Sequence, residues 1–358
     1  MSLTSTTTTT ASSSSSGGFP GSHVLAQARM WSHLLMMTMM WMATAMMISL
    51  FYLVRQMADW MLTPSAGQCP HPGDVVLVTG ATSGIGLSAA LHLRDKGFQV
   101  FAGVRKDQDF TKLKNMGLMP IKIDVSSSDQ IQKAVKKVEG FLGQRGDVAF
   151  AGLINNAGVC IPAPLEDQPE SDLRDMIDTN LLGAALVTRA FLPLMRRYSS
   201  RLIFTGSVSG YLPQPAVTIY TATKYAIRGF ALSLAGELRP FGISVSVVEP
   251  SQTATPIFNK AQTALDRLEC SPEYNGLVRL VDGYNKILVR MVAIKPEQSS
   301  DHALYAALTS KYPRLQYRTS WMGTLHHWVS MFPPELSVDK MVTLAYRALY
   351  GMTQGWSC

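Results

Sequence analysis

A glycine-rich turn set between an apolar run and a helix-forming run is the strongest constraint on how this chain can fold. Asp74-Val75-Val76-Leu77-Val78 is short, apolar and rich in β-branched residues. Thr79-Gly80-Ala81-Thr82-Ser83-Gly84-Ile85-Gly86 follows, and then Leu87-Ser88-Ala89-Ala90-Leu91-His92-Leu93-Arg94. The order reads as buried strand, tight turn and helix. Glycines let backbone approach a pyrophosphate closely. A helix N-terminus adds free N–H groups and the positive end of a dipole. A glycine cluster is most often only a turn. Its place at the start of an α/β pattern favours dinucleotide binding.

That pattern continues along the chain. Strands are expected at 74–79, 98–103, 119–123, 149–154, 201–206 and 243–248, and helices at 84–96, 127–142, 170–197 and 217–239. Strands and helices that alternate through short connections predict an α/β fold with a doubly wound parallel sheet, helices on both faces. Leu315-Gln316-Tyr317-Arg318 reads as a last strand and 335–350 as a closing helix. Before them, about 256–312 is expected to supply mobile helices over a substrate.

Tyr220 and Lys224 stand four residues apart, and Ser207 lies 13 residues before the tyrosine. Residues i and i+4 share a helix face, so the ammonium can lie beside the phenol. A nearby positive charge lowers a tyrosine pKa from its usual value of about 10. Taken alone, Tyr-x-x-x-Lys is a common chance match. Its weight comes from the glycine turn upstream.

These motifs together resemble the short-chain dehydrogenase/reductase family, of the single-domain, Rossmann-like type. The family pattern Thr-Gly-x-x-x-Gly-x-Gly is matched by Thr79, Gly80, Gly84 and Gly86, with Ser83 and Ile85 inside the same turn. Asn-Asn-Ala-Gly after the fourth strand falls on Asn155, Asn156, Ala157 and Gly158, and the family's helix asparagine on Asn180. Asp124, after the third strand, matches an acidic residue expected near adenine. The resemblance runs from about Asp74 to Thr255 and leans toward the retinol, hydroxysteroid and hydroxybutyrate dehydrogenase branch. It implies hydride transfer between a nicotinamide and a carbinol or carbonyl carbon. Tyr220 would be the acid/base and Ser207 would polarise the substrate oxygen. Lys224 would tune the phenol and hold the nicotinamide ribose, and Asn180 would hold a water linking Lys224 to solvent. Ser209 is at the wrong spacing to take the serine's part. Pro250 and Thr255 would border the nicotinamide. The family usually has Pro-Gly after the sixth strand, but Ser251 follows Pro250 here. That departure bears on the shape of the pocket and not on whether the chain is active.

Cofactor choice turns on the end of the second strand, where NAD enzymes carry an acidic residue. Val104 occupies that position, followed by Arg105 and Lys106. Arginine can pair a 2′-phosphate in bidentate fashion, so NADP is expected, with NAD left open because Asp107 lies close by.

Of the 358 residues, 47% are hydrophobic and 16% charged. That supplies a core and a membrane segment as well. The net charge of +7 comes without a basic block or a basic stripe interleaved with aromatics, which excludes nucleic acid as the expected partner. Cys69, Cys160, Cys270 and Cys358 are far apart with no Cys-x-x-Cys, so neither a disulfide framework nor a zinc site is indicated. The sequence also contains no Asn-x-Ser/Thr.

Residues 1–33 are Ser/Thr-rich and expected to be disordered. Leu34 to Val54 carries no charge over 21 residues, enough to span a bilayer core of about 30 Å. A transmembrane anchor over 34–54 is therefore expected, joined to the domain 74–358 by a linker at 55–73. The rivals are a buried core helix and a signal peptide, for which Ala43-Thr44-Ala45 resembles a cleavage site. Arg29 and Arg55 flank both ends, so basic-residue bias sets no orientation. An endoplasmic reticulum membrane is expected, with mitochondrion or plastid as alternatives. Trp321, Met322, Leu325, Trp328, Met331 and Phe332 form an apolar set that could line a substrate mouth at a bilayer.

The expected activity is thus oxidation or reduction of a lipophilic alcohol or ketone, such as a retinoid, steroid or lipid, by a chain able to form homo-oligomers. Two alternatives stay open: a dehydrogenase of a small soluble hydroxy acid or alcohol, and a nucleotide-binding scaffold without turnover.

Overall fold

The computed structural model describes residues 22–62, 69–279, 281–283 and 293–330. The chain divides into two units, residues 1–62 and 63–358.

The described part of the first unit is one helix, α1, Ser22–Leu62. It extends beyond both ends of the expected span, so 22–33 and the first part of the expected linker, 55–62, are helical. The physical reason is local. No Pro or Gly occurs from Ser22 to Leu62, and the flanks are rich in Ala, Leu, Gln, Arg and Met, which propagate a helix once it is nucleated. Pro64 follows, and a residue before proline is pushed out of the helical region. Within α1, Leu35–Val54 is long and apolar enough to cross a membrane, with mean hydropathy 1.6.

The second unit is built on seven strands: β1 Val75–Val78, β2 Gln99–Val104, β3 Met119–Lys122, β4 Phe150–Asn155, β5 Arg201–Thr205, β6 Ser244–Glu249 and β7 Gln316–Arg318. Their order is β3-β2-β1-β4-β5-β6-β7, and every pair is parallel. Alternate side chains of β1 feed two cores, as the period of two requires. Val75 and Leu77 pack with Ile131, Val138, Phe191 and Ile227. Val76 and Val78 pack with Leu93, Leu113, Leu304 and Leu308. The first core is contributed by α4 Ser128–Gly143, α6 Gly183–Tyr198 and α7 Thr218–Leu238. The second is covered by α2 Gly84–Asp95, α3 Gln108–Asn115 and α9 Tyr305–Thr309. Strand order reverses between β1 and β4, so the crevice beyond their carboxyl ends is the topological switch point where such sheets bind ligands.

Two elements of this unit differ from expectation. α3 is absent from the sequence reading: its eight residues are mostly polar and bury only Leu113. The helix expected over 170–197 is interrupted. It comprises α5 Glu170–Ile177, a π-helical turn Asp178–Leu182 and then α6. The wide turn follows from close packing at Gly183, where a Cβ would stand 2.7 Å from the Val125 side chain. The region expected to cover a substrate contains α8 Pro256–Asp266 and α9. The last described helix is α10, Trp321–Val329. Trp321 is exposed and Trp328 half-buried. The side chains of Met322 and Leu325, the residues Met331 and Phe332, and the expected helix 335–350 lie outside the described residues.

Candidate active site

The site assembles beyond the carboxyl ends of β1, β4 and β5, and its reacting groups come from β5 and α7. Ser207 follows β5 in extended conformation (φ −169°), and its hydroxyl accepts from Ser209 N–H at 3.1 Å. Ser209 itself is buried and serves that turn. Tyr220 and Lys224 lie on α7, and the Tyr220 hydroxyl hydrogen-bonds Ser207. The Lys224 ammonium donates to the Thr205 carbonyl at 2.9 Å and stands 5.6 Å from the Tyr220 ring centroid.

Burial dominates the electrostatics of this pair. The Tyr220 phenol lies above its ordinary pKa, first because of burial and then because of Cys160, and only the hydrogen bond from Ser207 pulls it down. The Lys224 ammonium, held by the Thr205 carbonyl, stands on the face of the same ring. Burial also brings Lys224 down to about 8, against a smaller opposing influence from Cys160. Cys160, which sequence reasoning passed over, is pushed up to about 12 by burial, with Lys224 acting the other way. It is a neutral thiol beside both groups. No sequence pattern marks it; its only signal is a position two residues after Gly158.

Asn180 sits in the π-helical turn. Its side-chain oxygen accepts from Val159 N–H at 2.8 Å. Its amide donates to the Val159 carbonyl at 2.9 Å and to Thr223 Oγ1 at 3.1 Å. The side chain therefore clamps the loop after β4 to α7.

The glycine turn fits a dinucleotide. Gly80 and Gly84 have φ of +63° and +55°, the left-handed region that glycine tolerates best. A Cβ at Gly80 would stand 2.8 Å from Ala157 Cα, and one at Gly84 would stand 3.2 Å from the Thr255 side chain. The turn is thus pressed against the Asn156-Ala157-Gly158 loop on one side and the start of α8 on the other. Thr79 is buried and does not face a ligand. Its hydroxyl accepts from Asn156 and Ala157 N–H at 3.0 and 3.1 Å, while the Asn156 amide donates to the Thr79 and Gly80 carbonyls at 3.2 Å each. These residues lock the cradle's shape. Ser83 precedes α2 at its N-cap position, and Ile85 and Gly86 form that helix's first turn. Gly158 lies between Asn180 and the reacting groups: a Cβ there would be 3.3 Å from Asn180 Oδ1 and 3.7 Å from Lys224 Nζ.

At the outer end of the cradle, Arg105 is exposed just past β2. Asp107, the carboxylate that could have repelled a phosphate, is paired with Lys122 at 2.6 Å. Asp124 accepts from Ser126 N–H at 3.0 Å and Ser126 Oγ at 2.7 Å, closing its own turn. Pro250 is buried and accepts from Val208 N–H at 3.0 Å.

Comparison with known proteins agrees with this geometry. The family model for short chain dehydrogenase matches residues 74–266, more than half of the chain. The chain belongs to the short-chain dehydrogenase family. It is 31% identical over 285 residues to the rat mitochondrial D-beta-hydroxybutyrate dehydrogenase, covering 75% of this chain and 83% of that one. It is 38% identical over 186 residues to a 3-amino-tetrahydro-pyrrolizinone reductase of Xenorhabdus hominickii, where the match covers 52% of this chain and only 63% of the relative. Retinol dehydrogenase 5 of mouse is 29% identical, over 76% of this chain and 89% of its own. Among solved structures, a short-chain dehydrogenase from Streptomyces avermitilis superposes with TM-score 0.61 at 26% identity, covering 79% of this chain and 98% of that one. A serine dehydrogenase complexed with NADP+ superposes with TM-score 0.56 at 27% identity, covering 68% and 93%. This short-chain dehydrogenase is therefore an oxidoreductase of CH–OH groups with a dinucleotide fold.

Proposed function

We propose that this short-chain dehydrogenase is a membrane-anchored, NADP(H)-dependent enzyme that interconverts a lipophilic alcohol and its ketone or aldehyde. The observation that carries the chemistry is the Tyr220 hydroxyl hydrogen-bonded to Ser207 beside the glycine cradle. When bound, the nicotinamide supplies or accepts the hydride. The protein's own part is to place the substrate oxygen and move a proton. Ser207 donates to that oxygen and fixes its direction. Tyr220 transfers the proton, and the phenol is protonated at neutral pH and able to donate during carbonyl reduction. Lys224, lying over the ring, stabilises the negative charge left on the phenol. Asn180 and Thr223 hold the Val159 loop and α7 in register so that these groups stay aligned.

NADP(H) is favoured by the exposed Arg105 and by the pairing of Asp107 with Lys122. A preference for NAD over NADP of about tenfold or more would remove this part of the proposal, because charge-assisted contacts to phosphate are worth about 1.5–3 kcal/mol.

The anchor supports a lipophilic substrate. In α1 the hydroxyls of Thr38 and Ser49 donate to the carbonyls of Leu35 and Ala45 at 2.8 Å each, and Thr44 donates to Met40. Polar side chains that bond back to their own helix leave no unmet donor in hydrocarbon. The apolar side chains of the span, Trp41 and Met42 included, are exposed, and an exposed apolar surface of that size marks a membrane or partner. Membrane choice between endoplasmic reticulum and mitochondrion is settled by fractionation.

The purified enzyme should reduce retinal or a ketosteroid with NADPH, and Tyr220→Phe should lower kcat by roughly 10²–10⁴ while leaving dinucleotide affinity unchanged. Turnover confined to 3-hydroxybutyrate would overturn the lipophilic reading. Full activity in Tyr220→Phe would overturn the assignment of the site.

A further inference from the structure

Among the charged groups that the mechanism leaves unused, the cluster around Glu249 is the most developed. Glu249 ends β6 and is 1% exposed. Its Oε1 lies 3.5 Å from Arg228 Nε and its Oε2 lies 4.0 Å from Arg318 Nε. Neither oxygen has a hydrogen-bond partner among the described residues. Two guanidinium groups therefore balance the charge without saturating the carboxylate. A buried carboxylate held in this way is a poor source of stability, so its placement calls for another account.

Its position supplies one. Glu249 continues the β5–β6 register opposite Gly206, the residue just before Ser207. Gly206 N–H donates to the Val248 carbonyl at 2.7 Å, and Val208 N–H donates to the Pro250 carbonyl at 3.0 Å. The two neighbours of Ser207 are thus bonded to the two neighbours of Glu249. A Cβ at Gly206 would be 3.5 Å from Glu249 Cγ. The carboxylate then reaches in two directions. Arg228 lies one helical turn beyond Lys224 on α7, and its guanidinium lies 5.7 Å from the Tyr211 ring centroid. Arg318 pairs with Glu249 in the β6–β7 register.

The C-terminal segment closes the circuit. The Tyr211 hydroxyl donates to the Gly323 carbonyl at 2.9 Å, and the Tyr211 ring meets His327 edge-on at 5.4 Å. Ser251, in place of the family glycine, accepts from the Ser320 hydroxyl at 2.8 Å, and its N–H donates to Thr319 Oγ1 at 3.2 Å. The turn after Ser207, helix α7 and the segment from β7 to α10 therefore meet around one carboxylate.

We propose that Glu249 is a positioning residue for Ser207, and that through Arg228 and Arg318 it makes the geometry of Ser207 and Tyr220 depend on the C-terminal segment. The inference rests on Ser207 and Tyr220 acting as described above. It adds a route by which residues from Gln316 to His327 influence the rate without touching the reacting atoms.

The experiment measures kcat, substrate KM and dinucleotide Kd for the full-length enzyme and for Glu249→Gln, with Ser207→Ala as reference. Glu249→Gln should lower kcat by roughly 10- to 100-fold, the scale of a misplacement of about 1 Å. The Kd of NADPH should stay within about twofold. The kinetic isotope effect with 4-deuterated NADPH should rise as the chemical step becomes limiting. A purely structural role predicts the opposite: lower thermal stability, but an unchanged kcat per NADPH-binding site. That outcome overturns the proposal. If Glu249→Gln does not fold, Arg318→Gln, which keeps the Arg228 pair, is measured in the same way. A smaller loss of kcat with unchanged Kd supports the proposal, and an unchanged kcat overturns it. If Ser207→Ala itself keeps full activity, the reading of the site fails first. If Ser207→Ala is inactive while Glu249→Gln is not, only the present inference fails.

Discussion

Tyr220 and Lys224 carry pKa displacements of opposite sign from one physical cause, loss of solvent. Burial disfavours the charged form of each, so the phenol rises and the ammonium falls. The pair is consequently a neutral phenol beside a lysine that titrates near 8. For carbonyl reduction the sign is determined. Lys224 is charged below about 8, where it stabilises the phenolate formed on proton donation, and neutral above it. The kcat/KM for NADPH, which reports groups of the ligand-free enzyme, should be level at lower pH and fall as pH rises through about 8. An unperturbed lysine would place that limb near 10.4. Lys224→Arg keeps its charge at all accessible pH and should remove the limb. A wild-type profile that stays level to pH 10, roughly where an ordinary lysine begins to titrate, would show that Lys224 is not the group involved. The same reasoning limits Cys160, whose thiol stays neutral at these pH values because its pKa is pushed up to about 12.

At the scale of elements, the turn after β1 shows what a sequence discloses about structure. Gly80 was legible because the chain needs a left-handed residue there and closes on Ala157. Gly80→Ala should therefore cost about 1–2 kcal/mol for the left-handed backbone and about 1–3 more for the forced contact. Thermal denaturation should show the loss, and NADPH affinity should fall with it; an unchanged melting temperature would mean that the cradle yields more easily than its packing suggests. Strands and catalytic spacing were legible for the same reason, since each depends on local pattern. What escaped depends on partners remote in sequence. The π-helical turn at Asp178–Leu182 arises where Gly183 meets Val125, and no periodicity within the helix announces it. The clamp that the Asn180 side chain makes on Val159 sits in that turn and is likewise invisible to local pattern. Ser251 was visible as a departure, but its bond to Ser320 lies 69 residues away in sequence. α3 was missed because a helix that buries only Leu113 carries almost no apolar period.

For the whole molecule, the question is whether α1 sets where the enzyme finds its substrate. The catalytic groups all belong to the unit 63–358, and the span Leu35–Val54 to the other. A lipid-partitioned substrate is concentrated in the bilayer, so anchorage should lower the apparent KM without changing the chemical step. Met42, near the middle of the span, tests this. An arginine at a helix centre costs about 2.5–3.5 kcal/mol of insertion free energy, roughly 60- to 300-fold in partition at 1.4 kcal/mol per tenfold. Met42→Arg should therefore move the enzyme from the carbonate-resistant membrane fraction toward the soluble one. On vesicle-borne retinal the freed enzyme should show a higher apparent KM, while kcat on a detergent-dispersed substrate stays the same. An unchanged KM on vesicles, with the enzyme demonstrably released, would mean that α1 only addresses the protein to a compartment, and a small soluble alcohol or hydroxy acid would become the better substrate class. If Met42→Arg stays in the membrane fraction, the charge has been accommodated at a helix end or by a partner. Deleting residues 35–54 then gives the same comparison without relying on one residue.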